Sequence, residues 1–110
     1  MEDVRSEVTL ALRRLALSSQ ESDRSAARVR LFALLSDELR QVARRVLSRE
    51  RPGHSLAPTE LVHEVYLRVV DHDSLVPSSR ANFLGVAAHV MRQVLVDHAR
   101  ARAAEKRGGG

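Results

Sequence analysis

The final third of the chain combines an apolar helical stripe with a cluster of basic side chains. Between residues 92 and 107, five basic groups accompany Asp97 and Glu105, and three glycines follow at the end of the chain. Guanidinium and ammonium groups pair with phosphates, and a helix can present them along one face. This pattern favours contact with a nucleic-acid backbone.

A segment of opposite charge precedes it. Residues 59–73 carry Arg68 as their one basic group beside Glu60, Glu64, Asp71 and Asp73, whereas residues 23–51 carry eight arginines beside four carboxylates. This basic–acidic–basic order indicates two different partner surfaces. Ordinary solvated helix faces would give the same charges, so charge alone does not separate the two interpretations.

The five histidines raise the question of a metal site or a hydrolase. His63-Glu64 is not followed by a histidine at the spacing of His-Glu-x-x-His, and His72-Asp73 is a lone dipeptide. The chain has no cysteine, no Gly-rich phosphate loop and no nucleophile elbow. We therefore expect no enzyme, no catalytic residue, no metal, no cofactor and no small-molecule substrate.

The charged groups must be positioned by helices. Apolar residues recur every three or four positions in four stretches: Asp3 to Leu17, Asp23 to Leu47, Pro58 to Val70, and Ser79 to about Glu105. The second stretch contains a sustained stripe that includes Val29, Phe32 and Leu35. No alternating strand pattern or repeat occurs. The sequence predicts an all-α fold, a compact bundle of about four helices.

Proline, glycine and polar residues mark the helix ends. Pro52 and Gly53 end the second helix, Pro58 with a capping Thr59 begins the third, and a loop runs from His72 to Ser78. Gly108–Gly110 are expected to form a flexible end.

The size and composition suit one domain without membrane spans. A length of 110 residues allows a single modest core, and the chain has no apolar run of the roughly 20 residues that a membrane span needs. The acidic start, Met1-Glu2-Asp3, does not resemble a secretory signal. We expect a cytoplasmic protein that does not contact a membrane.

Two sequence blocks carry a family resemblance. The first is Pro-Thr-Glu-Leu-Val-His-Glu-Val-Tyr-Leu-Arg-Val-Val, from Pro58 to Val70. The second contains Arg80-Ala-Asn-Phe, Ala87-Ala88, Met91-Arg92, Leu95-Val-Asp-His-Ala-Arg-Ala-Arg and Lys106-Arg-Gly-Gly. In order and spacing, these blocks resemble extracytoplasmic-function (ECF) sigma factors of the bacterial sigma-70 family. They cover about 50 residues, and the resemblance implies a sigma region 2-like fold.

The resemblance implies that the helix from Pro58 to Val70 docks on core RNA polymerase, on the clamp of its largest subunit. Carboxylates suit bidentate pairing with arginines of a partner helix. His63 stands where many relatives have glutamine. The implied polymerase-binding residues are Glu60, His63, Glu64, Leu67 and Arg68.

The resemblance also implies that the last helix and the loop before it bind the promoter −10 element and capture an unstacked base. An amide such as Gln93 offers a base edge both a donor and an acceptor. Asp97 would repel phosphate, so we expect it to pair with Arg100 or Arg92, and we expect Phe83 to be a core residue. Beside Ser78, the implied DNA-binding residues are Ser79, Arg80, Asn82, His89, Arg92, Gln93, Arg100, Arg102, Lys106 and Arg107.

Complete ECF sigma factors continue into a helix-turn-helix domain that reads the −35 element, and residues 1–110 match only the first domain. The chain would then be an isolated first domain, a truncated gene product or a cut piece, without autonomous promoter activity. Two other hypotheses stay open. One is a stand-alone DNA-binding regulator, and the other is a truncated sigma-like interaction module that titrates polymerase or an anti-sigma factor.

Overall fold

A computed structural model describes residues 4–49, 56–70 and 77–108, with side chains up to residue 105, and these ranges form five helices. They are α1 (Val4–Leu17), α2 (Glu21–Leu34), α3 (Ser36–Ser48), α4 (Pro58–Val69) and α5 (Arg80–Gly108). No strand occurs within these ranges. The all-α prediction is confirmed, and the count rises from four to five because the predicted second helix is two helices.

The division of that helix occurs at Leu35, which adopts φ −105° and ψ 19° instead of helical angles. Its amide still donates to the Leu31 carbonyl at 2.9 Å, and its carbonyl accepts from the Leu39 amide at 2.8 Å. The chain therefore bends without losing these bonds. Ser36-Asp37-Glu38 is a typical helix start, a signal that the continuous apolar stripe obscured.

The turn between α1 and α2 is held by side chains of the polar break. Ser18 Oγ accepts the Gln20 amide hydrogen at 3.2 Å and lies 3.2 Å from an Asp23 carboxylate oxygen. Arg24 Nη1 donates to the Leu15 carbonyl at 2.5 Å. Because the last carbonyls of a helix lack helical donors, this contact caps the C-terminal end of α1.

The helices pack in two groups that share one core. α1 packs along α2, whereas α3, α4 and α5 pack against one another. Phe32 of α2 joins the groups, because its ring lies edge-on to both Tyr66 of α4 and Phe83 of α5, with centroid distances of 5.3 Å in each case. Phe83 is 2% exposed, which confirms its predicted place in the core.

An arginine occupies a buried position that the apolar stripe did not predict. Arg28 is fully buried; its Nε donates to the Val70 carbonyl at 2.7 Å and its Nη2 to Glu21 at 2.5 Å. Val29, predicted for the stripe, is 41% exposed instead. The prediction was wrong there because α2 ends at Leu34 and packs on α1 through its own face, independently of α3.

α4 begins at Pro58 as predicted, but Thr59 does not cap it. The N-cap position is Ala57, whose amide donates to Glu60 Oε1 at 3.2 Å. A complete capping box has two hydrogen bonds, one from each residue's side chain. Alanine has no side-chain acceptor, so only the bond to the Glu60 side chain is present. Thr59 lies inside the first turn, two residues after the N-cap position.

α5 makes the molecule elongated rather than compact. Its buried residues end at Leu95, and most of the side chains from 96 to 105 are exposed. The radius of gyration is 15.9 Å, whereas a compact domain of this length would have about 13 Å. The helix also includes Gly108, which was predicted to be flexible; residues 109–110 lie outside the described ranges.

None of the helices in the described ranges has the length and apolarity to cross a membrane.

Replacing Phe32 by alanine should destabilise the fold by about 3–5 kcal/mol, because it removes the ring that packs on both Tyr66 and Phe83. Phe32→Leu, which retains most of the apolar volume, should cost about 1.5 kcal/mol or less. Urea unfolding followed by circular dichroism measures both changes. Equal, small losses for the two variants would contradict the junction role of this ring.

Candidate functional site

The acidic face of α4 points away from the core. Leu61, Val65 and Val69 of this helix are buried, and the five predicted polymerase-binding residues lie on its other sides. Four of them are exposed and Glu64 is partly exposed. The structure therefore brings together on one surface Glu60, His63, Glu64, Leu67 and Arg68.

Leu67 supplies an apolar group within this acidic face. It is 53% exposed, and Glu60 and Glu64 precede it by seven and three residues, a spacing that places all three along one side of a helix. The His63 and Tyr66 rings are stacked, with a distance of 6.4 Å between their centroids. This contact orients the imidazole on the surface of α4. A partner helix with basic and apolar groups would fit this surface.

The two carboxylates of this face differ in their contacts with the rest of the protein. Glu60 already accepts the Ala57 amide at the start of the helix. Glu64 makes no hydrogen bond or ion pair with another residue of the described ranges. Glu64 is therefore the carboxylate whose charge can be changed without disturbing the helix start.

The loop before α5 is organised as a helix cap. Ser79 Oγ accepts the Asn82 amide hydrogen at 3.0 Å, and Asn82 Oδ1 accepts the Ser78 amide hydrogen at 3.1 Å. Ser79 is thus an N-cap residue, which explains why the helix begins at Arg80. Three residues predicted to touch DNA, Ser78, Ser79 and Asn82, use these polar atoms within the protein.

That loop also lines a groove of about 630 Å³ whose other wall is α1. Arg80 lies in it, together with Arg5 and Arg13 of α1. No role was predicted for these α1 arginines, because only the packing places them opposite the loop.

Four predicted DNA-binding residues of α5 line a common groove of about 540 Å³: His89, Arg92, Gln93 and Arg100. Gln93 Nε2 lies 3.2 Å from His89 Nε2. Both side chains are exposed, so this contact lies at the surface of the groove. The Gln93 carbonyl oxygen makes no hydrogen bond within the described ranges and can accept one from a base.

Asp97 lies in the same groove, and its partner differs from the prediction. Its carboxylate is 2.9 Å from Arg68 of α4, instead of pairing with Arg92 or Arg100 of its own helix. The prediction was wrong because α4 and α5 pack side by side, which brings a guanidinium from the neighbouring helix to the carboxylate. Arg68 therefore connects the acidic face to the groove.

The remaining predicted DNA-binding residues lie on the projecting end of α5. Arg102 is exposed there. Lys106 and Arg107 belong to the last turns of the helix, and their side chains lie outside the described part of the structure. The side chains of residues 101–105 are exposed, so this part of α5 lies outside the core.

Two arginines at the C-terminal end of α3 line a further groove and were not predicted as site residues. Arg45 and Arg49 lie across a third groove, of about 340 Å³, from Arg92 of α5. The excess of arginine in residues 23–51 was visible in the sequence. This excess did not predict a site, because the sequence does not show that α3 packs beside α5.

No group of three or more potential ligands is arranged to hold a metal ion within the described ranges. The predicted loop from His72, the turn at Pro52 and Gly53, and His54 lie almost entirely outside those ranges.

Arg68 and Asp97 should show a coupling of about 0.2–1 kcal/mol in a double-mutant cycle of Arg68→Gln and Asp97→Asn. The value is small because the two side chains are 37% and 54% exposed. Urea unfolding at low ionic strength measures it, and salt should reduce it. The matched cycle of Asp97→Asn with Arg100→Gln should give a smaller coupling; a larger one would contradict the pairing across the helices.

Comparison with known proteins adds an independent finding. The model of the family described as ECF sigma factor matches residues 8–110. No curated protein and no solved structure matches the chain. Because the family match covers nearly the whole length and includes both the α4 face and α5, the chain belongs to the ECF sigma factor family, whose members are non-enzymatic transcription initiation factors.

Proposed function

We propose that this chain is the region 2-like domain of an ECF sigma factor, which binds core RNA polymerase through α4 and engages the promoter −10 element through α5 and its preceding loop. The observation that supports this proposal most directly is the division of exposed charge between the two helices. Glu60 and Glu64 lie on α4, and Arg92 and Arg100 lie on α5. Family membership implies polymerase and promoter DNA as the two partners.

The α4 face suits docking on the polymerase clamp. Glu64 can pair with a basic side chain of the partner, while Leu67 provides an apolar contact at the same interface. A charged pair that becomes desolvated at an interface depends on both members, so reversing one charge costs much more than removing a contact at the rim. Arg68 is already neutralised by Asp97 and would contribute less.

The α5 surface suits a single DNA strand in two ways. Arg92 and Arg100 can neutralise phosphates, and the Gln93 amide offers hydrogen bonds to a base edge. Gln93 is held by His89, so its amide is oriented before DNA arrives. Phe83 is buried and cannot stack on a melted base, which favours capture of an unstacked base by polar groups over an aromatic wedge.

Glu64→Arg should weaken binding to bacterial core RNA polymerase by at least about 30-fold, which corresponds to roughly 2 kcal/mol. Fluorescence anisotropy of the labelled chain, titrated with core enzyme, measures the effect. The matched control is Glu105→Arg, the same reversal on the projecting end of α5. Wild-type chain that does not bind polymerase, or two variants that bind equally well, would contradict docking through α4.

Arg100→Gln should weaken binding to a labelled single-stranded oligodeoxynucleotide and reduce the slope of log K against log salt by about 0.7, the value for one lost phosphate contact. Arg14→Gln on α1 is the matched control and should leave the slope unchanged. Equal slopes for wild type and Arg100→Gln would argue against a phosphate contact at this position. DNA binding that persists in a chain unable to bind polymerase would favour a stand-alone regulator.

A further inference from the structure

The groove between α3 and α5 has an apolar floor that includes a glycine. Its floor contains Val42 and Val46 from α3 and Leu84 and Ala88 from α5, and Gly85 lies among them. A Cβ atom added at Gly85 would meet no heavy atom within 4 Å, so packing does not require glycine there. Glycine is a poor helix former, and such a local conflict is typical of functional positions.

The rim of this groove is cationic. Arg45 approaches from α3, Arg49 from the residue that follows this helix, and Arg92 from α5; no carboxylate is among the lining residues. None of the three guanidiniums forms an ion pair with a carboxylate within the described ranges. A ligand of this groove would therefore combine an apolar surface with negative charge.

Arg92 links this groove to the predicted DNA-binding surface. It lines both the groove beside α3 and the groove that contains Gln93 and Arg100. The two grooves follow one another along α5, so one extended anionic ligand can occupy both. This continuity favours a nucleic-acid strand over a separate acidic peptide.

We propose that the groove between α3 and α5 is a second DNA subsite, which takes an unstacked base of a single strand against the floor at Gly85 while Arg45 and Arg49 hold the flanking phosphates. The inference rests on the proposed function, because it extends the strand bound on α5. A volume of about 340 Å³ lies at the lower end of the range for small-ligand sites, which suits one base. The aliphatic side chains of the floor offer no hydrogen bond to a base edge, so this subsite contributes affinity rather than promoter choice.

The first test removes the two rim charges at the C-terminal end of α3. Arg45→Gln with Arg49→Gln should weaken binding of the full chain to fluorescein-labelled oligodeoxythymidylate and reduce the salt slope by about 1.4, the value for two phosphate contacts on a single strand. The matched control, Arg14→Gln with Arg44→Gln, removes two exposed arginines that do not line the grooves. An equal change of slope in both double variants would overturn the proposal.

The second test fills the groove without changing charge. Gly85→Phe should reduce affinity for the same oligonucleotide at least about tenfold, because the ring occupies the place of the base. Ala33→Phe places the same ring on an exposed part of α2 and serves as the control. Circular dichroism verifies helix content for each variant. Unchanged affinity of a folded Gly85→Phe variant would overturn the base subsite.

The outcomes separate this inference from the proposed function. If Arg100→Gln reduces the salt slope but the α3 and Gly85 variants behave as wild type, only the subsite fails. If the wild-type chain binds no single-stranded DNA while it still binds polymerase, both the subsite and the DNA half of the proposed function fail. Losses in all three sets of variants would support one continuous strand path along α5.

Discussion

The edge-on contacts of Phe32 with Tyr66 and Phe83 hold the structure together, because they are the point where α2, α4 and α5 meet. The bend at Leu35 makes this meeting possible. It lets α2 follow α1 while α3 turns to pack on α4 and α5. Both candidate surfaces depend on this junction, since it fixes the relative positions of α4 and α5.

α5 serves two purposes along its length. Up to Leu95 it supplies core residues, and beyond that point most of its side chains are exposed. A helix that extends past its core can present arginines with little desolvation, which suits a salt-dependent interaction with DNA. The buried half of α5 attaches this projecting end to the core.

The proposed polymerase and DNA surfaces lie next to each other. Arg68 belongs to the α4 face and pairs with Asp97 in the α5 groove, and Arg92 is shared by two grooves. Exposed pairs of this kind contribute little stability. Their importance is positional: the carboxylate that would repel phosphate is neutralised, so the charge of the groove remains favourable for a nucleic-acid strand.

The sequence by itself determined the all-α class, the starts of α4 and α5, the core position of Phe83 and the family of the chain. These features depend on local periodicity, on proline and serine near helix starts, and on residue order. It did not reveal the bend at Leu35, the burial of Arg28, the pairing of Asp97 with Arg68, or the groove that joins Arg45 and Arg49 to Arg92. Only the tertiary structure decided these, because periodicity shows which side of a helix is apolar but not which other helix packs against it.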